Sequence, residues 1–169
     1  ISKARDMGFT EPDPREDLSG MDVARKLVIL AREMNLKITT DDVEVENLVH
    51  QNLENLGVDE YLERLKDYDA EMMEKLNQAR NNNKVLRYIA RLNSNGNASV
   101  KLEEVDSNHL FAQLSGSENI IAFKTERYFD SPLVLKGPGA GPSVTAAGIF
   151  ADLLMVSTQS DRFTRLNSE

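Results

Sequence analysis

The sequence predicts an α+β domain, a mostly antiparallel sheet covered by helices on one face. Three observations carry that expectation. Apolar residues recur at helical spacing over residues 19–35 and again over 59–81. Between Lys84 and Val105 the period changes to two, on either side of the turn-rich run Asn93-Ser94-Asn95-Gly96-Asn97, which reads as a hairpin. Two further β-rich stretches, residues 119–128 and 132–136, precede a closing helical stretch over 143–155. Helices, then strands, then a helix is the order of an α+β layer.

Taken along the chain, Ile1, Ala4 and Met7 have the spacing of a short helix already under way. In residues 10–26, Pro12 and Pro14 argue against helix and push Glu11 and Asp13 toward extended geometry, so a held loop is expected. Ser19 then reads as an N-cap with Asp22 three positions on, a capping box with Asp in place of Glu. At 100° per residue, Val23, Ala24, Leu27, Val28, Leu30, Ala31 and Met34 share one face, and the helix is expected to end near Asn35. Residues 37–58 promise little beyond a short strand or a helical turn. Asp59 is expected to cap one long helix that runs to the Asn81-Asn82-Asn83 stop. After the strands, Gly137-Pro138-Gly139-Ala140-Gly141-Pro142 forms a loop, and the polar segment from Ser157 is expected to fray. There is no internal repeat.

The chain has 169 residues with 20 Lys+Arg against 28 Asp+Glu, a formal charge of −8, and no Cys or Trp. That length suffices for one domain with a buried core. No apolar run approaches the roughly 20 residues of a membrane span, so no membrane partner is expected. A nucleic-acid partner is not expected either, because phosphate binding needs a basic face and the longest basic run is Arg25-Lys26. Without cysteine, disulfides and thiolate zinc sites are excluded. The opening, Ile1-Ser2-Lys3-Ala4-Arg5-Asp6-Met7, has neither an initiator Met nor a signal peptide, and the sequence reads as a piece of a longer chain.

Chemistry-bearing residues concentrate in two places. Residues 10–26 bring together Glu11, Asp13, Arg15, Glu16, Asp17, Asp22 and Lys26 beside two stiffening prolines, an arrangement suited to orienting a polar ligand. Asp22 and Lys26 are four apart and can touch on one helix face. A partly desolvated Lys beside carboxylates can exchange a proton, and a carboxylate can bind an ammonium or hydroxyl group. Spacing alone favours the plainer account of a surface ion pair plus a helix cap. A metal site in the same acids is weakly supported, because the calcium-loop spacing is missing, and none is expected. His50 and His109 stand without motif neighbours. The second place is the loop 137–141, where glycines would let a ligand approach the backbone at a helix start. It is neither a P-loop nor a dinucleotide fingerprint. A simple strand-to-helix turn accounts for it equally well.

Read jointly, the segments GFTEPDPREDLSGMDVARKLVILAR and TERYFDSPLVLKGPGAGPSVTAAGIFADLL closely resemble the two signature regions of homoserine dehydrogenase, in the right order, and VLRYIARL between them is also similar. The resemblance covers the chain up to about Met155. It implies a substrate-binding and dimerising α+β domain over residues 1–156, followed by a polar tail over 157–169. The family's N-terminal Rossmann domain is lacking here, and the arrangement looks more like the end of a bifunctional aspartokinase/homoserine dehydrogenase, or the short fungal type, than the monofunctional bacterial form.

The resemblance also implies roles. Glu11 and Asp22 match the residues that hold homoserine, Asp17 the acid near the reacting carbon, and Lys26 the lysine that exchanges a proton with the alcohol or aldehyde oxygen. Gly8 and Gly141 match glycines bordering the nicotinamide cofactor, NADP or NAD, which the absent domain would mainly bind. The implied reaction is the interconversion of L-homoserine and L-aspartate 4-semialdehyde in threonine, methionine and isoleucine biosynthesis, by a cytoplasmic homodimer acting on a small-molecule substrate. An isolated piece would be inactive, since half a site cannot hold cofactor against substrate. The alternative is a non-catalytic dimerisation module of a larger biosynthetic enzyme.

Overall fold

The computed structural model describes residues 1–139 and 141–166, with side chains described up to Thr158 in the last helix. It divides into two units, Ile1–Gln113 and Leu114–Glu169. The first contains α1 (Ser2–Asp6), α2 (Pro14–Leu18), α3 (Met21–Glu33), β1 (Val43–Val45), α4 (Val58–Leu65), α5 (Asp69–Asn81), β2 (Lys84–Leu92) and β3 (Ala98–Asp106). Short 3-10 turns lie at Thr40–Asp42, Gln51–Leu53, Lys66–Tyr68 and Leu110–Gln113.

The hairpin forms as expected, with β2 and β3 antiparallel from Lys84 opposite Asp106 to Leu92 opposite Ala98. Strand β1 adds to the other edge of β3 in parallel, Val43 beside Ala98. Along β3 the alternation turns Ala98 and Val100 to one face, where they meet Ala24, Leu27 and Val28 of α3 and Val43 of β1. The apolar stripe of α3 thus packs where its period says it should. Leu27, Val28 and Val100 are each buried, and each such side chain contributes about 1.5–3 kcal/mol. Met34, expected on the same stripe, is exposed. On the opposite face Ile89 and Val105 are buried, and Arg87 donates from Nε to the Phe111 carbonyl at 2.8 Å and from Nη2 to that of Ala112 at 2.6 Å.

A second core lies in the stretch where little was expected. Val49, Leu53 and Tyr61 are buried together, with Leu18, Leu56, Leu62, Leu65 and Tyr68 around them. Apart from β1 and two 3-10 turns, residues 37–57 hold no regular element, yet apolar anchors hold them in place.

Four local expectations are corrected. Pro12 and Pro14 do not keep the segment a loop: Pro14 opens α2 at its first position, where a missing N–H costs nothing, and Asp13 accepts the Arg15 N–H as N-cap. The N-cap of α3 is Gly20, in the left-handed region at φ 74°, and Ser19 ends α2 instead. The Ser19 Oγ still accepts the Met21 N–H at 3.3 Å. The long helix expected from Asp59 begins after Gly57 and breaks at Lys66–Tyr68. There the Tyr68 ring stacks on His50 at 3.7 Å and its hydroxyl accepts from Asn52 Nδ2 at 3.2 Å, so tertiary contacts outweigh helical continuity. The strand expected to reach Tyr128 stops at Phe123, where Thr125 Oγ1 accepts the Tyr128 N–H at 3.2 Å and Lys124 Nζ sits 4.1 Å from the Phe129 ring centre.

The second unit pairs β4 (Glu118–Phe123) with β5 (Leu133–Pro138), antiparallel, followed by α6 (Pro142–Leu166). The α+β class therefore stands, with the strands divided between a three-stranded and a two-stranded sheet in place of one. Helix α6 begins one residue earlier than expected and runs on to Leu166, so the segment from Ser157 continues it. Residues 167–169 of the expected tail, and Ala140 of the glycine loop, lie outside the described residues.

Candidate active site

The site region begins where α1 ends. The Phe9 N–H reaches the Ala4 carbonyl at 3.0 Å and the Gly8 N–H that of Arg5 at 2.9 Å, a Schellman closure with Gly8 at φ 70°. The match between Gly8 and a cofactor-bordering glycine thus has a local structural reason beside it. Glu11 follows on exposed chain, and its N–H donates to Asp17 Oδ2 at 3.0 Å. Helix α2 thereby carries Asp17 back onto the bent run that holds Glu11.

Arg15 fastens this helix. Its Nε donates to Asp13 Oδ1 at 2.9 Å and its Nη2 to Asp13 Oδ2 at 2.6 Å, a fork on a carboxylate. Its Nη1 donates to the carbonyls of Glu54 at 2.8 Å and Leu56 at 2.7 Å, and the guanidinium lies 5.3 Å from the Tyr61 ring centre. The fork holds the Asp13 carboxyl below the ordinary carboxylate range, overriding the opposing effect of burial. In the sequence Asp13 and Arg15 stand among the charged cluster of residues 10–26, without a role of their own. The available signal was Asp-Pro-Arg itself, an N-cap, an N1 proline and a basic residue in the first turn.

After Gly20 the chain enters α3, which packs against α2. Asp22 and Lys26 form the expected (i, i+4) pair, Nζ to Oδ2 at 2.7 Å, each more than half exposed. The structure therefore joins the Glu11 N–H to Asp17, on the run into α2, and Asp22 to Lys26, on α3. A carboxylate can bind a cation or a hydroxyl, and a lysine can hold or release a proton. Gly141 belongs to the second unit. It sits at φ 124°, and its carbonyl accepts the N–H groups of Val144 and Thr145 at 3.2 Å each.

His50 and His109 take structural parts, each accepting at Nδ1 the N–H of the residue two further on, at 3.2 Å in both cases. Among the described residues, no group of three or more metal-binding side chains converges, and no helix is long and apolar enough to cross a membrane.

A family model described as homoserine dehydrogenase matches residues 1–154. The bifunctional aspartokinase/homoserine dehydrogenase 2, chloroplastic, of Arabidopsis thaliana is 47% identical over 160 residues, covering 94% of this chain and 18% of its own length. A crystal structure of a Candida auris protein of unknown function superposes with a TM-score of 0.81 at 41% identity, over 93% of this chain and 44% of that one. The homoserine dehydrogenase of S. aureus gives 0.67 at 25% identity, over 93% and 35%. The chain thus spans less than half the length of each.

Proposed function

The chain belongs to the homoserine dehydrogenase family, and from that membership we propose that it supplies the substrate-holding part of an oxidoreductase interconverting L-homoserine and L-aspartate 4-semialdehyde in amino-acid biosynthesis. The observation that supports it is that Asp17 accepts the Glu11 N–H on the run into α2 and that Lys26 pairs with Asp22 on α3. Glu11 and Asp22 hold the ammonium and hydroxyl ends of homoserine. Asp17 lies near the carbon that loses hydride, and Lys26 exchanges the proton of the alcohol or aldehyde oxygen. Asp22 occupies one of the three N–H donors of its ammonium, which leaves the others to reach a substrate oxygen.

NADP or NAD would accept the hydride when bound. We assign Gly8 and, on the second unit, Gly141 to its border; a Cβ at either would meet nothing within 4 Å. The larger part of the dinucleotide site would lie on a further domain of the enzyme. We assign substrate binding and dimerisation to residues 1–156, with 157–169 following as a polar segment. A homodimer agrees with the apolar side chains that the second unit exposes, Leu133 and Leu135 on β5 and Phe150 and Leu153 on α6. Cytoplasmic location belongs to the same reading, although the Arabidopsis relative is chloroplastic.

The test is steady-state turnover of homoserine by the intact enzyme carrying this domain. Lys26→Ala and Asp22→Ala are each expected to lower kcat by orders of magnitude with the circular dichroism spectrum unchanged. Wild-type turnover in both would overturn the roles assigned.

A further inference from the structure

We propose that Arg15 is a positioning residue for the substrate loop: it bolts α2 to the chain at residues 53–56, so that Asp17 can hold Glu11 in place. The inference rests on the roles just given to Glu11 and Asp17.

Its basis is the number and direction of the contacts made by one guanidinium. Helix α2 has only five residues and cannot be stable by its own hydrogen bonds, since isolated helices shorter than about 12–15 residues are marginal. Something else must hold it. At its start, Asp13 caps the helix through the Arg15 N–H at 3.0 Å and also receives the Arg15 fork. From the same guanidinium, Nη1 crosses about 40 positions of sequence to the carbonyls of Glu54 and Leu56. At the far end of α2, the Leu18 carbonyl accepts the Leu48 N–H at 3.0 Å, and the Leu18 side chain packs with Val49, Leu53 and Tyr61. The helix is therefore pinned at both ends to the second core, and Asp17, between the pins, accepts the Glu11 N–H.

Lysine cannot replace this residue. A single ammonium lacks the planar fork that meets Asp13 with two nitrogens while a third reaches the carbonyls. Arg15 keeps about one fifth of its side-chain surface exposed and is not placed to touch substrate in this role. Its effect passes through the geometry of Glu11 and Asp17.

The experiment combines kinetics and hydrogen exchange on the intact enzyme, wild type against Arg15→Lys and Asp13→Asn. For Arg15→Lys, kcat/KM for homoserine is expected to fall roughly 10- to 100-fold, the scale of an ångström-sized misplacement. The KM for nucleotide should stay within about twofold, because this loop's acids are assigned to substrate. The Glu11 amide should exchange faster, while amides of β3 keep their protection. Asp13→Asn retains the cap but weakens the fork, so it should move in the same direction by less, and it carries the test should Arg15→Lys fail to fold. Unchanged homoserine kinetics, equal losses for homoserine and nucleotide, or unchanged Glu11 exchange each overturns the positioning role. A wild-type enzyme that does not turn over homoserine overturns the parent reading instead, and the exchange result then still decides whether Arg15 holds the loop.

Discussion

Gly20 lies so close to Tyr88 that no side chain fits between them. A Cβ at Gly20 would overlap the Tyr88 hydroxyl and stand 2.8 Å from Val45 Cγ1. That hydroxyl donates to the Glu46 carbonyl at 2.6 Å, so it cannot simply swing aside. The contact ties the N-cap of α3, the helix bearing Asp22 and Lys26, to both β2 and the chain after β1.

Gly20→Ala is therefore expected to destabilise by about 2–4 kcal/mol, from a left-handed alanine together with overpacking. Denaturant unfolding measures it. Adding Tyr88→Phe removes the overlapping oxygen, so the double variant should lose less than the sum of the single losses. Strict additivity would show that the two residues do not meet in solution.

Tyr61 makes the opposite case. Its ring is fully buried and its hydroxyl finds no hydrogen-bond partner among the described residues. Burial also pushes its pKa up. Removing an unpaired buried hydroxyl relieves a desolvation penalty of about 1–3 kcal/mol, so Tyr61→Phe should leave the thermal midpoint unchanged or raise it. A fall of several degrees would mean that the hydroxyl is satisfied after all.

Acid sensitivity follows from the carboxylates held by arginine. The Arg15 fork lowers the pKa of Asp13, and the Arg91 fork, at 2.6 and 2.8 Å, lowers that of Glu103. A carboxyl whose folded value lies below its unfolded one, about 3.9 for Asp and 4.3 for Glu, adds stability that is complete above the unfolded value. That stability is lost as pH falls through the folded value. The melting temperature should hold steady from neutral pH to about pH 5 and then drop as pH falls further. Glu103→Gln should melt lower at neutral pH and show a shallower acid drop. An acid limb identical to that of wild type would assign the drop to other groups.

The Asp22–Lys26 pair should matter little to folding. An exposed (i, i+4) pair is worth about 0.3–0.5 kcal/mol, so Asp22→Ala should shift the denaturant midpoint barely at all while abolishing most turnover. A large stability loss would show that the pair is architectural.

The features legible in the sequence were those that depend on neighbours along the chain. The stripe of α3, the alternation of β2 and β3 and the Asn-Gly turn between them all follow from local period and turn chemistry, and the α+β class followed from their order. The Asp22–Lys26 pair was legible for the same reason. Pro14 is ambiguous in the sequence because proline forbids the helix interior but suits its first position, and the boundary that decides between the two is set by the Asp13 cap. The spacing over residues 59–81 predicts one continuous helix, because the break comes from His50 and Asn52, remote in sequence from Tyr68.

Sequence by itself thus determined the two signature segments, the periods of the elements and the acids and lysine proposed to meet a substrate. Only the tertiary structure decided that Arg15 reaches the carbonyls of Glu54 and Leu56, and that α3 must start on a glycine because Tyr88 stands over it. The reason is physical. Backbone carbonyls carry no residue-specific signal, and close approach between distant segments exists only once the chain has folded.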